Sequence, residues 1–189
     1  GLTSALQNAI DDLGFDTPTP IQKESFPVVL SGKNIVGIAQ TGTGKTIAYM
    51  LPILQNMSFS KQLNPRILVI VPTRELVIQV VENIEELTKY MTLRIHGLYG
   101  GVNINTQKKD LQAGSDIIVA TPGRLYDLTL SRALSLKSIN KLVIDEVDVM
   151  LDLVFRFQLT NIFELLQEKR QNIMFSATMT NDIEELITE

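Results

Sequence analysis

Six short runs rich in Val, Ile and Leu constrain the fold of this chain more than any other feature of its sequence. They lie at residues 34–38, 66–71, 94–98, 116–120, 141–144 and 172–175. Between them, apolar residues recur every three or four positions, as in the series Leu76, Val80, Ile84, Leu87 and Met91, which indicates amphipathic helices. Strands that alternate with helices predict an α/β domain of three layers, with a mainly parallel sheet and helices on both faces.

Before the first of these runs, residues 2–30 predict two short helices, because Pro18 and Pro20 interrupt a continuous one. The whole chain has 189 residues, of which 44% are hydrophobic and 20% charged, and this predicts one soluble folded domain. No run approaches the roughly 18 apolar residues of a membrane helix. We therefore expect an intracellular protein, cytoplasmic or nuclear, with no membrane partner.

Charge and metal-binding residue types exclude several kinds of site. The net charge of -4 gives no general basic field for a polyanion, so any nucleic-acid contact must be local. The sequence has no Cys and a single His, His96, which excludes disulfides, thiolate metal sites and His-rich metal centres. We expect His96 to be a packed or surface residue.

Polar motifs follow the strand runs directly. They are QTGTGKT, PTREL, YGG, TPGR, DEVD and SAT. In open parallel sheets, ligands bind beyond the carboxyl ends of the strands. The sequence therefore predicts that these motifs meet at one edge of the sheet and form the functional site there.

The first motif predicts a phosphate-binding loop. Residues 39–46, AQTGTGKT, fit the pattern G-x-x-x-x-G-K-[ST] with Ala at the first position, between a predicted strand and a predicted helix. Gly42 and Gly44 let backbone N–H groups turn inward and form an anion nest. Lys45 would bind the β and γ phosphates, and Thr46 would offer its hydroxyl to Mg²⁺. A tight turn alone would explain the glycines, but it leaves Lys45 and Thr46 unexplained.

Two acidic residues after the fifth run complete this prediction. Asp145 and Glu146 follow the buried run 142–144. We expect Asp145 to hold Mg²⁺ through water and Glu146 to orient and deprotonate an attacking water. Acidic residues are also common on protein surfaces after strands, so the pair alone is weak evidence for a metal site. Together with the phosphate loop it becomes strong evidence.

Seven motifs in this order resemble those of the DEAD-box RNA helicases, and the resemblance covers nearly the whole chain. In this sequence they are GFDTPTPIQ at 14–22, AQTGTGKT at 39–46, PTREL at 72–76, GG at 100–101, TPGR at 121–124, DEVD at 145–148 and SAT at 176–178. The resemblance implies that residues 1–189 are the N-terminal RecA-like ATP-binding domain, without the second RecA-like domain. It implies ATP and Mg²⁺ as cofactors, RNA and the second domain as partners, and a monomer that unwinds short duplexes.

The resemblance also assigns the nucleotide contacts. Phe15 would lie against adenine, Thr19 would position the loop, and Gln22 would read the base, since a glutamine amide matches the N6 and N7 groups of adenine. Guanine would leave the Gln22 oxygen unpaired at a cost of about 1–3 kcal/mol, which predicts a preference for ATP over GTP. A helix entry with Gln22 merely exposed is the alternative. The remaining nucleotide-binding residues are Gln40, Thr41, Gly42, Thr43, Gly44, Lys45 and Thr46.

The RNA-backbone contacts implied by the family fall on three other motifs. They are Pro72, Thr73, Arg74, Gly101, Thr121, Gly123 and Arg124. Arg, Thr and helix-start N–H groups bind phosphates without reading base sequence. The same motifs also fit helix caps, with Thr as cap and Pro in the first turn, and both interpretations can hold together.

The SAT motif is expected to couple the nucleotide site to the second domain, with Ser176 and Thr178 hydrogen-bonding the acidic box, in particular Asp148. A plain strand-end cap is the alternative. Two residues depart from the family pattern: Val147 replaces Ala, and Val154 stands where Gly is usual. If position 154 needs a positive φ, Val154 would be strained by one or more kcal/mol, about the cost of such backbone.

Three functions stay open from the sequence. An ATP-dependent RNA helicase domain, with little activity by itself, explains all seven motifs. A protein-interaction platform with nucleotide as a structural ligand is the second, and the intact Lys45, Thr46, Asp145 and Glu146 argue against it. A DNA translocase with the same core is the third, disfavoured by the Gln motif together with Asp148.

Overall fold

The computed structural model describes residues 1–40 and 43–187. Its six strands are β1 Ile35–Ile38, β2 Ile67–Ile70, β3 Ile95–Leu98, β4 Ile117–Ala120, β5 Lys141–Ile144 and β6 Gln171–Ser176. Its eight described helices are α1 Ser4–Leu13, α2 Pro20–Leu30, α3 Thr43–Gln55, α4 Arg74–Leu87, α5 Ile104–Leu111, α6 Pro122–Leu130, α7 Leu153–Leu165 and α8 Asn181–Ile187. Each predicted strand run is confirmed, and so are the two helices before β1.

The strands form one sheet in the order β1-β6-β5-β2-β4-β3, and every neighbouring pair is parallel. The register aligns their carboxyl ends, because Ile38 pairs with Ser176, and Ile70 pairs with both Ile144 and Ala120. The motifs that follow these strands therefore meet along one edge, as the sequence predicts.

Alternate residues of the central strands bury into opposite faces of the sheet. Leu68, Ile70 and Ile118 pack in a core that includes residues of α6, α7 and α8. Val69, Val143 and Phe175 pack on the other side with residues of α1, α3 and α4. Both faces are covered, and for that reason the central strands read as continuous apolar runs instead of alternating ones. The three-layer, RecA-like arrangement is confirmed.

Local signals fix the two helices before β1. Helix α1 ends at Leu13, and the capping residue that follows, Gly14, has a φ of 75°, left-handed backbone suited to glycine. Helix α2 begins at Pro20 after the Thr19 cap, and Gln22 completes a capping box with Thr19. None of the helices within residues 1–40 and 43–187 has the length and apolar character that a membrane crossing requires.

Candidate functional site

The strand order divides the motifs into two groups along the carboxyl edge of the sheet. Strands β1, β6 and β5 are neighbours and carry AQTGTGKT, SAT and DEVD at their ends. Strands β2, β4 and β3 form the other half and carry PTREL, TPGR and YGG. The predicted phosphate and metal residues thus share one half of the edge, and the predicted RNA residues share the other.

The phosphate loop leads straight into helix α3. Gly44, Lys45 and Thr46 lie in its first turn, where N–H groups have no intrahelical partner and favour an anion. The Ala39 N–H donates to the Ser176 carbonyl at 2.9 Å, which fixes the start of the loop to β6. Gln40 is exposed. The predicted nucleotide contacts of Thr41, Gly42 and the Thr43 side chain lie outside the described residues.

Lys45 forms a buried ion-pair cluster with the acidic box. Its Nζ lies 2.9 Å from Asp145 Oδ1 and 3.2 Å from Glu146 Oε1, and all three residues are less than one-tenth exposed. Burial lowers the pKa of Lys45, but the two carboxylates outweigh it and raise the pKa above its ordinary value. Burial also raises the pKa of Asp145, against the opposing ammonium of Lys45. Two carboxylates thus face one cation in a buried site.

Glu146 has an unusual backbone conformation. Its φ of 59° and ψ of 43° place a non-glycine residue in the left-handed region, which is uncommon and concentrates at functional sites. Its N–H donates to Asp145 Oδ1 at 2.8 Å, so the two carboxylates are held by one local turn. That turn aims Glu146 back toward Lys45 instead of continuing along the strand direction.

The donor set around Lys45 fits a magnesium ion bound together with a nucleotide. Among residues 1–40 and 43–187, no group of three or more His, Cys, Asp or Glu side chains could hold a metal by itself. Mg²⁺ is usually bound by one or two carboxylates, waters and substrate phosphates. Asp145 and the Thr46 hydroxyl supply such ligands, and a cavity of about 30 Å³ is lined by both.

Gln22 occupies a defined position beside the phosphate loop. Its Oε1 accepts from the Thr19 N–H at 2.9 Å, and its Nε2 donates to the Gly44 carbonyl at 3.1 Å. These bonds fix which way the amide faces and leave it one N–H and one lone pair, the set that an adenine edge requires. The helix-entry part of the alternative is confirmed, since Gln22 completes the capping box of α2, but Gln22 is half-buried and not merely exposed.

Phe15 lines the same cavity as the Gln22 amide. The side chain is 46% exposed although it is a large apolar group. A cavity of about 440 Å³ opens between α1, α2 and α3 and is lined by both Phe15 and Gln22. An exposed aromatic ring next to a base-matching amide is a suitable environment for a purine.

The PTREL motif caps helix α4 and also exposes two of its predicted RNA-binding residues. Thr73 Oγ1 accepts from the Leu76 N–H at 3.2 Å, which confirms its role as the cap of α4. Pro72 is buried, whereas Thr73 and Arg74 are exposed. The Arg74 guanidinium lies over the Tyr99 ring, 5.1 Å from its centre.

The GG and TPGR loops are joined by Arg124. Its Nη1 and Nη2 both donate to the Val102 carbonyl at 3.0 Å, and Nη1 also donates to Gln107 Oε1 at 2.8 Å. Thr121 is the N-cap residue before α6 but makes no side-chain cap bond, so the cap interpretation does not account for its hydroxyl. Val102 and Gln107 could not be predicted as partners of Arg124, because they lie 17 or more positions away along the chain.

Glycines at two of these positions bring the loops close together. Gly101 has a φ of 84°, and a Cβ there would lie 3.5 Å from Arg74 Nη1. A Cβ on Gly123 would lie 3.2 Å from Gln158 Nε2 on α7. Gly101 therefore lies close to Arg74, which packs on Tyr99, and Gly123 lies close to Gln158.

The SAT residues differ from the expected coupling contact. Ser176 Oγ accepts from the Thr178 N–H at 3.4 Å, which is the strand-end cap. Asp148 Oδ1 is buried without a hydrogen-bonding partner in the described part of the chain. The bond predicted from Ser176 or Thr178 to Asp148 is therefore not made at Oδ1.

Both departures from the family pattern are accommodated. Val147 is fully buried in a 3₁₀ turn, Val147–Met150, and packs in the core that contains α6 and α7. Val154 lies in the first turn of α7 and is 67% exposed. Among the residues described, the non-glycine residues with positive φ are Arg132 and Glu146. The strain anticipated for Val154 is absent, since its backbone is helical.

Comparison with known proteins agrees with these features. The family model for the DEAD/DEAH box helicase matches residues 19–186. The chain is 41% identical to the pre-mRNA-processing ATP-dependent RNA helicase prp-5 of Neurospora crassa, with 98% of the chain and 16% of that protein covered. It is 42% identical to DEAD-box ATP-dependent RNA helicase 24 of Oryza sativa subsp. japonica, with 100% and 25% covered.

A bacterial relative shows a comparable match. The chain is 41% identical to the ATP-dependent RNA helicase DeaD of Buchnera aphidicola, with 97% of the chain and 30% of that protein covered. The chain thus spans between 16% and 30% of the length of these three relatives. A family model that matches most of the chain, ordered motifs at one sheet edge and relatives at about 40% identity together establish that this chain belongs to the DEAD/DEAH box helicase family.

Proposed function

We propose that residues 1–189 form the N-terminal RecA-like ATP-binding domain of an ATP-dependent RNA helicase. The observation that carries this proposal is the buried cluster in which Lys45 lies 2.9 Å from Asp145 and 3.2 Å from Glu146. A lysine buried between two carboxylates at the start of a helix is arranged to exchange its partners for a phosphate. The names of the relatives, which are RNA helicases that depend on ATP, support the same function.

In this proposal each part of the nucleotide meets a separate group of residues. Phe15 packs against adenine and Gln22 hydrogen-bonds its edge, while Thr19 holds the Gln22 amide in place. The N–H groups of residues 40–44 and the Lys45 ammonium bind the phosphates. Asp145 and Thr46 hold Mg²⁺, which when bound neutralises charge on the phosphates.

Charge balance gives the order in which these groups act. In the free site one ammonium faces two carboxylates, so the site has an excess negative charge. When Lys45 turns to the phosphates, the carboxylates are left to face a divalent cation. Glu146, fixed by its left-handed backbone, then accepts a proton from the water that attacks the γ phosphate.

The RNA surface lies on the other half of the sheet edge. Thr73, Arg74, Gly101, Thr121, Gly123 and Arg124 form it, with Pro72 buried beneath and contributing through its backbone. Arg124 also shapes this surface through the Val102 carbonyl. Contacts of this kind bind the backbone without reading bases, and the net charge of -4 is consistent with a local contact. An intracellular location and a monomeric state belong to the same proposal.

A second RecA-like domain is part of the proposed active protein. An arginine reaching the γ phosphate from outside such a site contributes about 10³–10⁵ in turnover in related nucleotide hydrolases. We therefore expect this chain by itself to bind ATP weakly and to hydrolyse almost none. RNA-stimulated hydrolysis and local duplex opening require closure of the two domains over the RNA.

The test joins this chain to a second RecA-like domain and measures ATP hydrolysis with and without single-stranded RNA. We expect RNA to stimulate hydrolysis and Glu146→Gln to reduce the stimulated rate by at least about 10²-fold, with ATP binding retained. Glu164→Gln, the same change on the exposed face of α7, should leave the rate unaltered. ATP binding without any stimulated hydrolysis would instead support the interaction platform, and stimulation by DNA equal to that by RNA would support the translocase.

A further inference from the structure

The hydroxyl of Tyr49 is buried without a partner beside the proposed metal ligands. Tyr49 lies on α3, is 0% exposed, and packs its ring against Phe175 with 5.7 Å between the ring centres. Its Oη has no hydrogen-bonding partner within the described residues. Buried hydroxyls almost always have a partner, and one without a partner destabilises the fold. Phenylalanine would fill the same space without this cost.

Two groups of the proposed Mg²⁺ site, Thr46 and Asp145, act on this hydroxyl. Thr46 lies three residues earlier on the same helix, so the two side chains are neighbours on one face. Burial, and after it the nearby Asp145 carboxylate, raise the pKa of Tyr49 well above its ordinary value. The Thr46 side chain interacts with the same oxygen, although it does not reach normal hydrogen-bond geometry in the free protein.

The proposed chemistry gives Tyr49 a role that it lacks in the free protein. A threonine hydroxyl that offers a lone pair to a metal must direct its hydrogen away from that metal, toward an acceptor. The groups behind a metal ligand commonly orient it and strengthen its binding. The Tyr49 oxygen is buried, and no described residue reaches it with normal hydrogen-bond geometry, so it has the capacity to accept the Thr46 hydrogen.

We propose that Tyr49 is a positioning residue for the magnesium site, an inference that rests on the proposed function. Tyr49 Oη accepts the hydrogen of the Thr46 hydroxyl, which turns a lone pair of Thr46 Oγ1 toward the metal. Its own hydrogen points to the Asp145 carboxylate. The unpartnered hydroxyl of the free domain is thus one that gains its partners when nucleotide and Mg²⁺ bind.

The experiment compares Tyr49→Phe with the unchanged chain in two measurements. The first is thermal unfolding without nucleotide or Mg²⁺, in which loss of an unpartnered hydroxyl should raise Tm by about 2–4 °C. The second is binding of a fluorescent ADP during a Mg²⁺ titration, in which the Mg²⁺ midpoint should rise on the order of 10-fold. Binding of the same nucleotide without Mg²⁺ should not change.

A matched control separates this role from simple removal of a buried hydroxyl. Ser115 Oγ is also buried without a partner in the described chain, at the opposite edge of the sheet. Ser115→Ala should raise Tm similarly and leave the Mg²⁺ midpoint unchanged. In a Thr46→Ala background, Tyr49→Phe should cause no further shift of the midpoint, because the hydroxyl that it orients is gone.

Each outcome bears on the inference directly. An unchanged Mg²⁺ midpoint in Tyr49→Phe overturns it, even while the unchanged chain binds the magnesium nucleotide normally. A fall in Tm with no shift in midpoint also overturns it, since the hydroxyl would then be a structural group. If the unchanged chain shows no Mg²⁺-dependent nucleotide binding, the proposed function fails and this inference fails with it.

Discussion

Replacing Lys45 by Met should destabilise the nucleotide-free domain by about 3–4 kcal/mol. The ammonium lies 2.9 Å from Asp145 and 3.2 Å from Glu146. With an effective dielectric constant of about 20, each attraction is worth about 5–6 kcal/mol before desolvation is subtracted. Removing one member of a buried ion pair commonly costs about 3–5 kcal/mol, because a charge is left without compensation.

Protonation of Asp145 limits the stability that Lys45→Met can lose. Asp145 can bind a proton instead of remaining charged, and at pH 7 that costs about 4 kcal/mol for a carboxyl with a reference pKa of about 3.9. The pKa of Asp145 is already raised by burial, and loss of the ammonium raises it further. A carboxyl whose pKa is higher in the folded state than in the unfolded state lowers the free energy of unfolding when it is charged, above that pKa. This penalty disappears as pH falls and the carboxyl binds a proton. The difference in free energy of unfolding between Lys45→Met and the unchanged chain should therefore become smaller as pH falls below 7.

Urea denaturation at several pH values measures this effect. Lys141→Met is a matched control, because Lys141 is half-buried and hydrogen-bonds the neutral Gln171 at 2.8 Å. Burial lowers the pKa of Lys141, so its removal should cost less than about 1 kcal/mol. Equal unfolding midpoints for Lys45→Met and the unchanged chain, or a gap that widens as pH falls, would refute the electrostatic argument.

Three further changes test other parts of the structure. Asp116→Asn should lower the free energy of unfolding by about 2–3 kcal/mol, since Asp116 is buried and forms an ion pair with Arg94 at 3.0 Å. Burial raises the pKa of Asp116, but the hydrogen bonds from Arg94 outweigh it and lower the pKa below its ordinary value. Denaturation curves should therefore show the full loss of stability above about pH 4 and a smaller loss below it. Val147→Ala should cost about 2 kcal/mol by the same assay, because the side chain is fully buried; no loss would show that the methyl groups are not packed. Arg124→Lys should weaken binding of labelled single-stranded RNA about 3–10-fold, because Lys cannot hold the Val102 carbonyl through two nitrogens, and unchanged affinity would remove Arg124 from the RNA surface.

The layers of the fold could be predicted from the sequence because their signals are local. A run such as 67–70 is apolar at every position, and only a strand buried on both faces explains so short and continuous a run between helical segments. The positions of the polar motifs follow from the same fact, since parallel strands end at a common edge. The strand order β1-β6-β5-β2-β4-β3 could not be predicted in this way, because it depends on which strands pair across long separations in the sequence.

The contents of the site were predictable in part for the same reason. Lys45, Thr46, Asp145 and Glu146 stand in recognisable local patterns, but the contact between Lys45 and Glu146 joins residues 101 positions apart. The left-handed backbone of Glu146 was not predicted either, because glutamate has no intrinsic preference for this conformation. The bond from Arg124 to the Val102 carbonyl likewise depends on two loops meeting in space.

A crystal structure of this chain with Mg²⁺ and a non-hydrolysable ATP analogue tests the central claim most directly. The account predicts that Lys45 Nζ leaves its positions 2.9 Å from Asp145 and 3.2 Å from Glu146 and contacts the β and γ phosphates. It also predicts the metal beside Thr46 and Asp145, with adenine at Gln22. An empty loop, or Lys45 still bound to both carboxylates with nucleotide present, would contradict it.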